Sequence, residues 1–190
     1  GHFTEVSRTD LIAGYQGQTA LKVKNVIEKA KGGVLFIDEA YSITENDNTD
    51  SYGRECLTEL TKALEDSRDD LIVIVAGYTE PMNHFFESNP GLRSRFNYFI
   101  NFENYSSTEL IDILETLARK DDYQLSDELK ERLSSYFTDE LETKVENFSN
   151  GRFIRNLYEE LIMNQAVRLN NNKQYSSQEL SLLKLEDFIS

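Results

Sequence analysis

Two adjacent carboxylates, Asp38 and Glu39, follow directly on the apolar residues Val34-Leu35-Phe36-Ile37. The run does not alternate and the charges come last, so it reads as a strand buried on both faces whose C-terminal end opens onto a site. Open α/β sheets do their chemistry at that end. The pair suits a magnesium ion that arrives with a nucleotide. Asp38 can hold the ion through water, and Glu39 can orient and polarise an attacking water. The plainer alternative is that both acids precede a helix, whose N-terminus favours negative charge. These residues alone leave both readings open.

A second candidate lies in Asp10-Leu11-Ile12-Ala13-Gly14-Tyr15-Gln16-Gly17-Gln18-Thr19, where two glycines three apart flank Tyr15. Such a stretch forms either a mobile loop that holds the aromatic ring outward or an ordinary turn with the ring folded onto the core. Further on, Arg93 and Arg95 follow the turn signature Asn89-Pro90-Gly91, and Arg152 and Arg155 open a helical pattern. Two exposed arginines near an acidic surface need no function beyond charge balance. A cation at a helix N-terminus, as at Arg152, is electrostatically unfavourable and points to an anionic partner.

The elements that must position these residues alternate. His2 to Ser7 alternates apolar and polar residues as a short strand does, and Ala20, Val23, Val26, Ile27 and Ala30 recur at helical spacing before the Gly32-Gly33 stop. After the central strand, residues 44–51 are polar and acidic, which predicts an exposed loop. Cys56, Leu57, Leu60, Ala63 and Leu64 mark a helix, and Leu71 to Gly77 is a second apolar, β-branched run. Thr79-Glu80-Pro81 reads as a helix start with Thr79 as cap, and Tyr98 to Phe102 as a third core strand. Strand, helix, strand, helix, strand at these separations implies a parallel sheet.

Beyond residue 104 strand signals cease. Ser106-Ser107-Thr108-Glu109 is a capping box for a helix carrying Leu110, Ile113, Leu114 and Leu117, and helical patterns follow from Ser126, from Gly151, and around Leu180, Leu183 and Phe188. The expected division is therefore an α/β portion over 1–104 and an all-helical portion over 105–190.

Composition narrows the function classes. A formal net charge of -14 argues against a protein that neutralises nucleic-acid phosphates and against an anionic membrane surface. The single cysteine, Cys56, allows no internal disulfide and sits on the apolar side of a helix, where packing explains it. No apolar stretch approaches a membrane span, and no basic-then-apolar leader opens the chain, so a cytoplasmic location is expected.

Taken together, these stretches resemble the AAA+ ATPases, and within them the group containing red-type Rubisco activase and stage V sporulation protein K. The resemblance rests on five segments in order: the Gly14-Tyr15-Gln16-Gly17 loop, the Val34 to Glu39 strand as a Walker B, Ala76-Gly77-Tyr78, Asn89 to Phe96, and Asn150 to Asn156. It implies an α/β P-loop NTPase sheet followed by a helical lid, ATP and Mg²⁺ as ligands, a homo-oligomeric ring, expected to be a hexamer, and a partner protein as substrate. It makes Asp38 the metal residue and Glu39 the water-orienting residue. Arg95, with Arg93 as the alternative, becomes an arginine finger reaching a neighbouring subunit, where guanidinium charge offsets the developing negative charge on the γ-phosphoryl group. Arg152, with Arg155 competing, becomes a phosphate-contacting arginine of the lid. Tyr78 and Thr79 occupy the position of a polar sensor, and Tyr15, Gln16 and Gly17 form a pore loop that grips an extended substrate chain.

One departure stands out. Hydrolysis on this fold needs Gly-x-x-x-x-Gly-Lys-[Ser/Thr], whose backbone N–H groups and lysine hold the phosphates. The 190 residues contain no such motif, and Gly14 and Gly17 precede Gln18-Thr19 with no lysine in place. The sheet is expected to be incomplete, its first strand corresponding to the second of the parent domain. The chain is expected to be the C-terminal portion of a AAA+ domain, binding ATP weakly or not at all by itself. The alternative is a degenerate, non-hydrolysing scaffold or adaptor that docks a protein partner.

Overall fold

The expected alternation of strands and helices forms in residues 1–101. β1 (Phe3–Val6), β2 (Val34–Ile37) and β3 (Ile72–Val75) pair in parallel in the order β1-β2-β3, with Val6, Ile37 and Val75 in register at the C-terminal edge. A computed structural model describes residues 1–15, 17–44, 51–143, 149–170 and 174–189. It divides into two units, Gly1–Asn101 and Phe102–Ser190, each with its own hydrophobic core. The acidic loop expected over 44–51 lies mostly outside the described residues.

In the first unit, α1 (Arg8–Leu11) and α2 (Gln18–Ala30) follow β1, and α3 (Ser51–Asp66) lies between β2 and β3. Val23, Ile27 and Ala30 of α2 and Cys56, Leu57 and Leu60 of α3 bury the helical stripes read from the sequence against Leu35 and Ile37. Each fully buried large side chain contributes about 1.5–3 kcal/mol. α2 and α3 also pack on each other, so both serve the same sheet face. The opposite face carries Phe3 stacked on Phe36 at 5.8 Å between ring centroids, beside the exposed Ile72 and Ile74. The expectation of strands buried on both faces therefore holds for one face among the described residues.

Gly33 allows the strands to begin this close together. A β-carbon there would fall 2.2 Å from the His2 carbonyl oxygen, the same oxygen that accepts from the Val34 N–H at 2.8 Å.

α4 (Thr79–Glu87) and the single turn α5 (Pro90–Arg93) complete this unit. Tyr78, not Thr79, is the N-cap of α4, because its backbone is still extended and helical backbone begins at Thr79. Residues 98–102 form no strand: Tyr98, Ile100 and Phe102 are exposed, while Phe99 packs edge-on against Phe86. Strand propensity without a ladder partner stabilises no strand.

The second unit contains α6 (Ser107–Lys120), β4 (Gln124–Leu125), α7 (Asp127–Thr143), α8 (Asn150–Leu169), α9 (Ser177–Ser181) and β5 (Leu182–Leu183). The capping box at Ser106 forms as read: Ser106 Oγ accepts from the Glu109 N–H and Glu109 Oε2 accepts from the Ser106 N–H at 2.8 Å. Leu110, Leu114, Leu129, Leu133, Phe137, Ile154 and Leu161 fill the core. This helical unit also holds a short parallel pair, β4 with β5, that the sequence did not announce. The last helical pattern breaks at Leu182 because Leu183 turns into the core and the buried Asp187 folds back onto Arg168 at 2.7 Å.

Candidate active site

The C-terminal end of β2 is fixed from both sides. The Asp38 N–H donates to the Val6 carbonyl at 3.1 Å, the Ala76 N–H to the Ile37 carbonyl at 3.0 Å, and the Ala40 N–H to the Ala76 carbonyl at 3.0 Å. From that clamp Asp38 and Glu39 project exposed side chains. Asp38 Oδ1 accepts from the Glu39 N–H at 3.0 Å, and the Glu39 carboxylate makes no hydrogen bond or ion pair among the described residues.

Glu39 adopts left-handed backbone, with φ 47° and ψ 46°. That conformation costs a non-glycine residue about 1–2 kcal/mol. It is held because Ala40 and Ile43, in the 3-10 turn that follows, are buried in the core and pull the chain sharply under the sheet edge. Glu39 is the N-cap of that turn but makes no side-chain capping bond. The helix-start alternative therefore leaves its carboxylate unexplained, and backbone strain at an exposed acid is where functional sites store it.

Beside this pair, at the end of β3, Tyr78 places its ring 6.3 Å from that of Tyr41, and Thr79 opens α4. Tyr78 and Thr79 thus follow the end of the strand that pairs with the one carrying Asp38 and Glu39. Tyr15 is 73 % exposed, which removes the packed-tyrosine alternative. The ends of its loop are tied down: Thr19 Oγ1 accepts from the Ala13 N–H at 3.1 Å, and Lys22 Nζ donates to the Thr9 and Ile12 carbonyls at 2.9 and 3.0 Å. Gly17, at φ 78°, supplies the left-handed turn into α2. Gln16 lies outside the described residues.

The arginines are elsewhere. Arg95 Nε pairs with Glu65 Oε2 at 2.8 Å, and Glu65 lies in the last turn of α3. That turn feeds the start of β3, where the Gly32 N–H meets the Asp70 carbonyl at 2.7 Å just before β2 begins. Arg95 is thus held toward the N-terminal edge of the sheet and Asp38-Glu39 at the C-terminal edge, separated by four-residue strands that span about 10–13 Å. Arg93 sits over the Phe99 ring at 4.0 Å. Arg152 and Arg155 belong to the first turns of α8 in the second unit and are exposed, and their guanidinium groups make no hydrogen bond or ion pair among the described residues.

Two residues that sequence reasoning passed over organise these surroundings. Glu65 carries no motif, since its partner is thirty positions away. Asn150, left-handed at φ 40°, accepts from the Tyr105 N–H at 3.0 Å and donates to Asn104 Oδ1 at 2.8 Å, which fixes the start of α8. An Asn tolerant of positive φ just before a helical pattern was the available signal.

No group of three or more acidic, histidine or cysteine side chains that could hold a metal by themselves occurs among the described residues. The donor set suits a different ion. Magnesium is taken up through one or two carboxylates together with phosphate oxygens and water, and Asp38-Glu39 offers that number at an accessible sheet edge. No helix among the described residues is long and apolar enough to cross a membrane.

Comparisons with known proteins agree with this architecture. Residues 1–104 match the profile of the ATPase family associated with various cellular activities (AAA), and residues 106–190 match the AAA lid domain. Stage V sporulation protein K of Bacillus subtilis (strain 168) is 43% identical over 188 residues, covering 98% of this chain and 58% of its own length. A chloroplastic ribulose bisphosphate carboxylase/oxygenase activase of Cyanidioschyzon merolae is 37% identical over 191 residues, with 64% of its length covered. The chain thus spans about three fifths of the length of these curated relatives. The crystal structure of the FIGL-1 AAA domain superimposes with a TM-score of 0.65 over 96% of this chain and 58% of that one, at 19% identity, a likeness of fold.

Proposed function

This chain belongs to the ATPase family associated with various cellular activities, and we propose that its full-length protein hydrolyses ATP in a homo-oligomeric ring, in the manner of a hexamer, to remodel a partner protein. The observation that carries the reading is the pair of exposed carboxylates at the C-terminal end of β2, with Glu39 held in left-handed backbone and its carboxylate uncommitted. A relative named as the activase of an enzyme supports a protein target.

Magnesium-ATP, when bound, supplies the transferable γ-phosphoryl group and a cation that offsets its charge. Asp38 would hold that cation through water, while Glu39, one residue further along the clamped strand end, orients the attacking water and accepts its proton. Thr79 offers a hydroxyl beside the same edge. Arg152, or Arg155 one turn on, lends an uncommitted guanidinium to the phosphates. Arg95 faces away from its own Asp38-Glu39, so it serves a neighbouring subunit, with Arg93 the alternative. Tyr15, exposed on its pinned loop beside Gln16 and Gly17, grips an extended polypeptide.

The phosphate-holding Gly-x-x-x-x-Gly-Lys-[Ser/Thr] motif is absent from these 190 residues, and in this reading it comes from elsewhere in the full-length protein. Turnover measured on that protein tests the proposal. Magnesium-dependent hydrolysis that Glu39→Gln abolishes without loss of ATP binding is expected, and full turnover in Glu39→Gln would refute the assignment. Residues 1–190 alone are expected to show no turnover.

A further inference from the structure

Arg95 is not a free surface arginine. The α5 turn that precedes it is stapled by Asn89 Oδ1, which accepts from the Gly91 N–H at 2.9 Å, and by Ser94 Oγ, which donates to the Gly91 carbonyl at 2.9 Å. Arg95 Nη1 then donates to Ser94 Oγ at 3.0 Å. Glu65 Oε2 lies 2.8 Å from Nε as an ion pair, while Glu65 Oε1 lies 3.6 Å from Nη1 of Arg68. Arg93, two residues earlier, is fixed over the Phe99 and Phe86 rings.

A guanidinium has five N–H donors in one plane. Ser94 takes one N–H of Nη1 and the Glu65 carboxylate lies against Nε as an ion pair, which leaves the outer Nη edge free of partners among the described residues. A carboxylate that engaged both Nη groups end-on would have blocked that edge and acted as a latch. An ion pair at the Nε end, with the Ser94 bond at Nη1, restrains the guanidinium while its outer edge stays open. Arg93 has no side-chain hydrogen bond or ion pair of this kind among the described residues; its guanidinium lies over two rings instead.

We infer that Glu65 is a positioning residue that holds Arg95 ready to receive a phosphoryl group of the neighbouring subunit, and that Arg95, not Arg93, is the arginine that does so. This rests on the proposed ATPase function. Orientation of this kind acts on the rate of the reacting complex, where misplacing a group by 1 Å can cost about a hundredfold.

The test uses the full-length protein with ATP and magnesium, comparing Glu65→Ala, Glu65→Gln, Arg95→Ala and the double variant Glu65→Ala/Arg95→Ala, with oligomeric state and thermal midpoint followed in parallel. Glu65→Ala is expected to lower kcat about tenfold or more with KM, assembly and midpoint unchanged. Glu65→Gln, whose side-chain oxygen can still lie against Nε, recovers turnover to within about threefold of wild type. The double variant is no slower than Arg95→Ala alone. Arg95→Ala inactive with Glu65→Ala at wild-type turnover overturns this inference and leaves the ATPase reading standing. A double variant markedly slower than Arg95→Ala also overturns it, since Glu65 would then act on something else. Arg95→Ala at full turnover overturns both the arginine assignment and the role of Glu65.

Discussion

Glu39 sits at φ 47° and ψ 46°, and the conformation gives a prediction with a sign opposite to the usual one. In ordinary positions alanine is more stabilising than glycine by about 0.5–1 kcal/mol, because glycine loses more backbone freedom on folding. In left-handed backbone a β-carbon costs about 1–2 kcal/mol, which glycine escapes. Taken at the centres of the two ranges, the difference leaves Glu39→Gly more stable than Glu39→Ala by about 0.5–1 kcal/mol. The α/β unit has 101 residues, for which 1 kcal/mol moves the melting midpoint by about 4–8 °C, so the gap between the variants is about 2–8 °C. Both variants remove the carboxylate, so the comparison isolates the backbone. Thermal or urea denaturation of the two proteins measures it. A midpoint for Glu39→Ala equal to or above that of Glu39→Gly would refute the strain argument. In the full-length protein both variants are expected to lack ATP turnover, separating stability from activity at a single residue.

Gly33→Ala places a β-carbon 2.2 Å from the His2 carbonyl oxygen, and a destabilisation of about 2 kcal/mol or more is expected by denaturation, since backbone must move at the β1–β2 pair. Asp187→Ala leaves Arg168 without its bidentate partner, at 2.7 and 2.9 Å, and the Lys184 N–H without its acceptor at 2.8 Å; a loss of about 3 kcal/mol is expected for a fully buried carboxylate. Hydrogen bonds from the Ser106 backbone and hydroxyl hold the Glu109 carboxyl below its ordinary value of 4.5. A depressed folded-state value means that the stabilisation is complete above 4.5 and fades as pH falls through the lower folded value, so acidification should weaken the start of α6, and Glu109→Gln should flatten that acid limb in a pH series of melting midpoints. Tyr15→Ala is expected to leave stability and ATP turnover of the full-length protein unchanged while abolishing work on its protein target, and unimpaired remodelling would sink the pore-loop role.

How much of this was legible in the sequence follows from the range of each interaction. The strands at 34–37 and 72–75, helices α2, α3 and α6, and the Ser106–Glu109 box are set by patterns within one element, and they appear where the periodicity places them. The failures are all cases where a distant partner decides. Tyr98 to Phe102 has strand composition yet meets no ladder partner among the described residues, and the apolar run around Ile72 and Ile74 reads as doubly buried although α2 and α3 share the other face. The β4–β5 pair joins residues 124–125 to 182–183, beyond any local pattern. At the site, Asp38 and Glu39 were readable because a strand end is local. The left-handed turn at Glu39 was not, because it is imposed by burial of Ala40 and Ile43, and Glu65 was not, because only the fold brings it to Arg95.

The same topology bears on why one chain would be insufficient. Crossover helices return the chain to the starting edge of a parallel sheet, so whatever ends α3 or is tied to it sits a strand length from residues that end β2. Asp38 and Glu39 occupy one edge, and Arg95, tied to the last turn of α3 through Glu65, is held toward the other. A side chain already anchored at its Nε cannot cover the remaining 10 Å or so and stay anchored. If carboxylates and guanidinium act on one phosphoryl group, they must therefore come from different copies, arranged so that one chain's α3–α5 edge meets the β2 end of the next. Such a contact joins two unlike surfaces, and repeated heterologous contacts close into a ring when the rotation between copies permits. Mixing Glu39→Gln with Arg95→Ala full-length protein tests this directly: each is inactive alone, but mixed assemblies contain junctions with both residues intact and should regain turnover. No recovery on mixing, with co-assembly verified, would place both residues in the same subunit's site and contradict the separation inferred from the strand length.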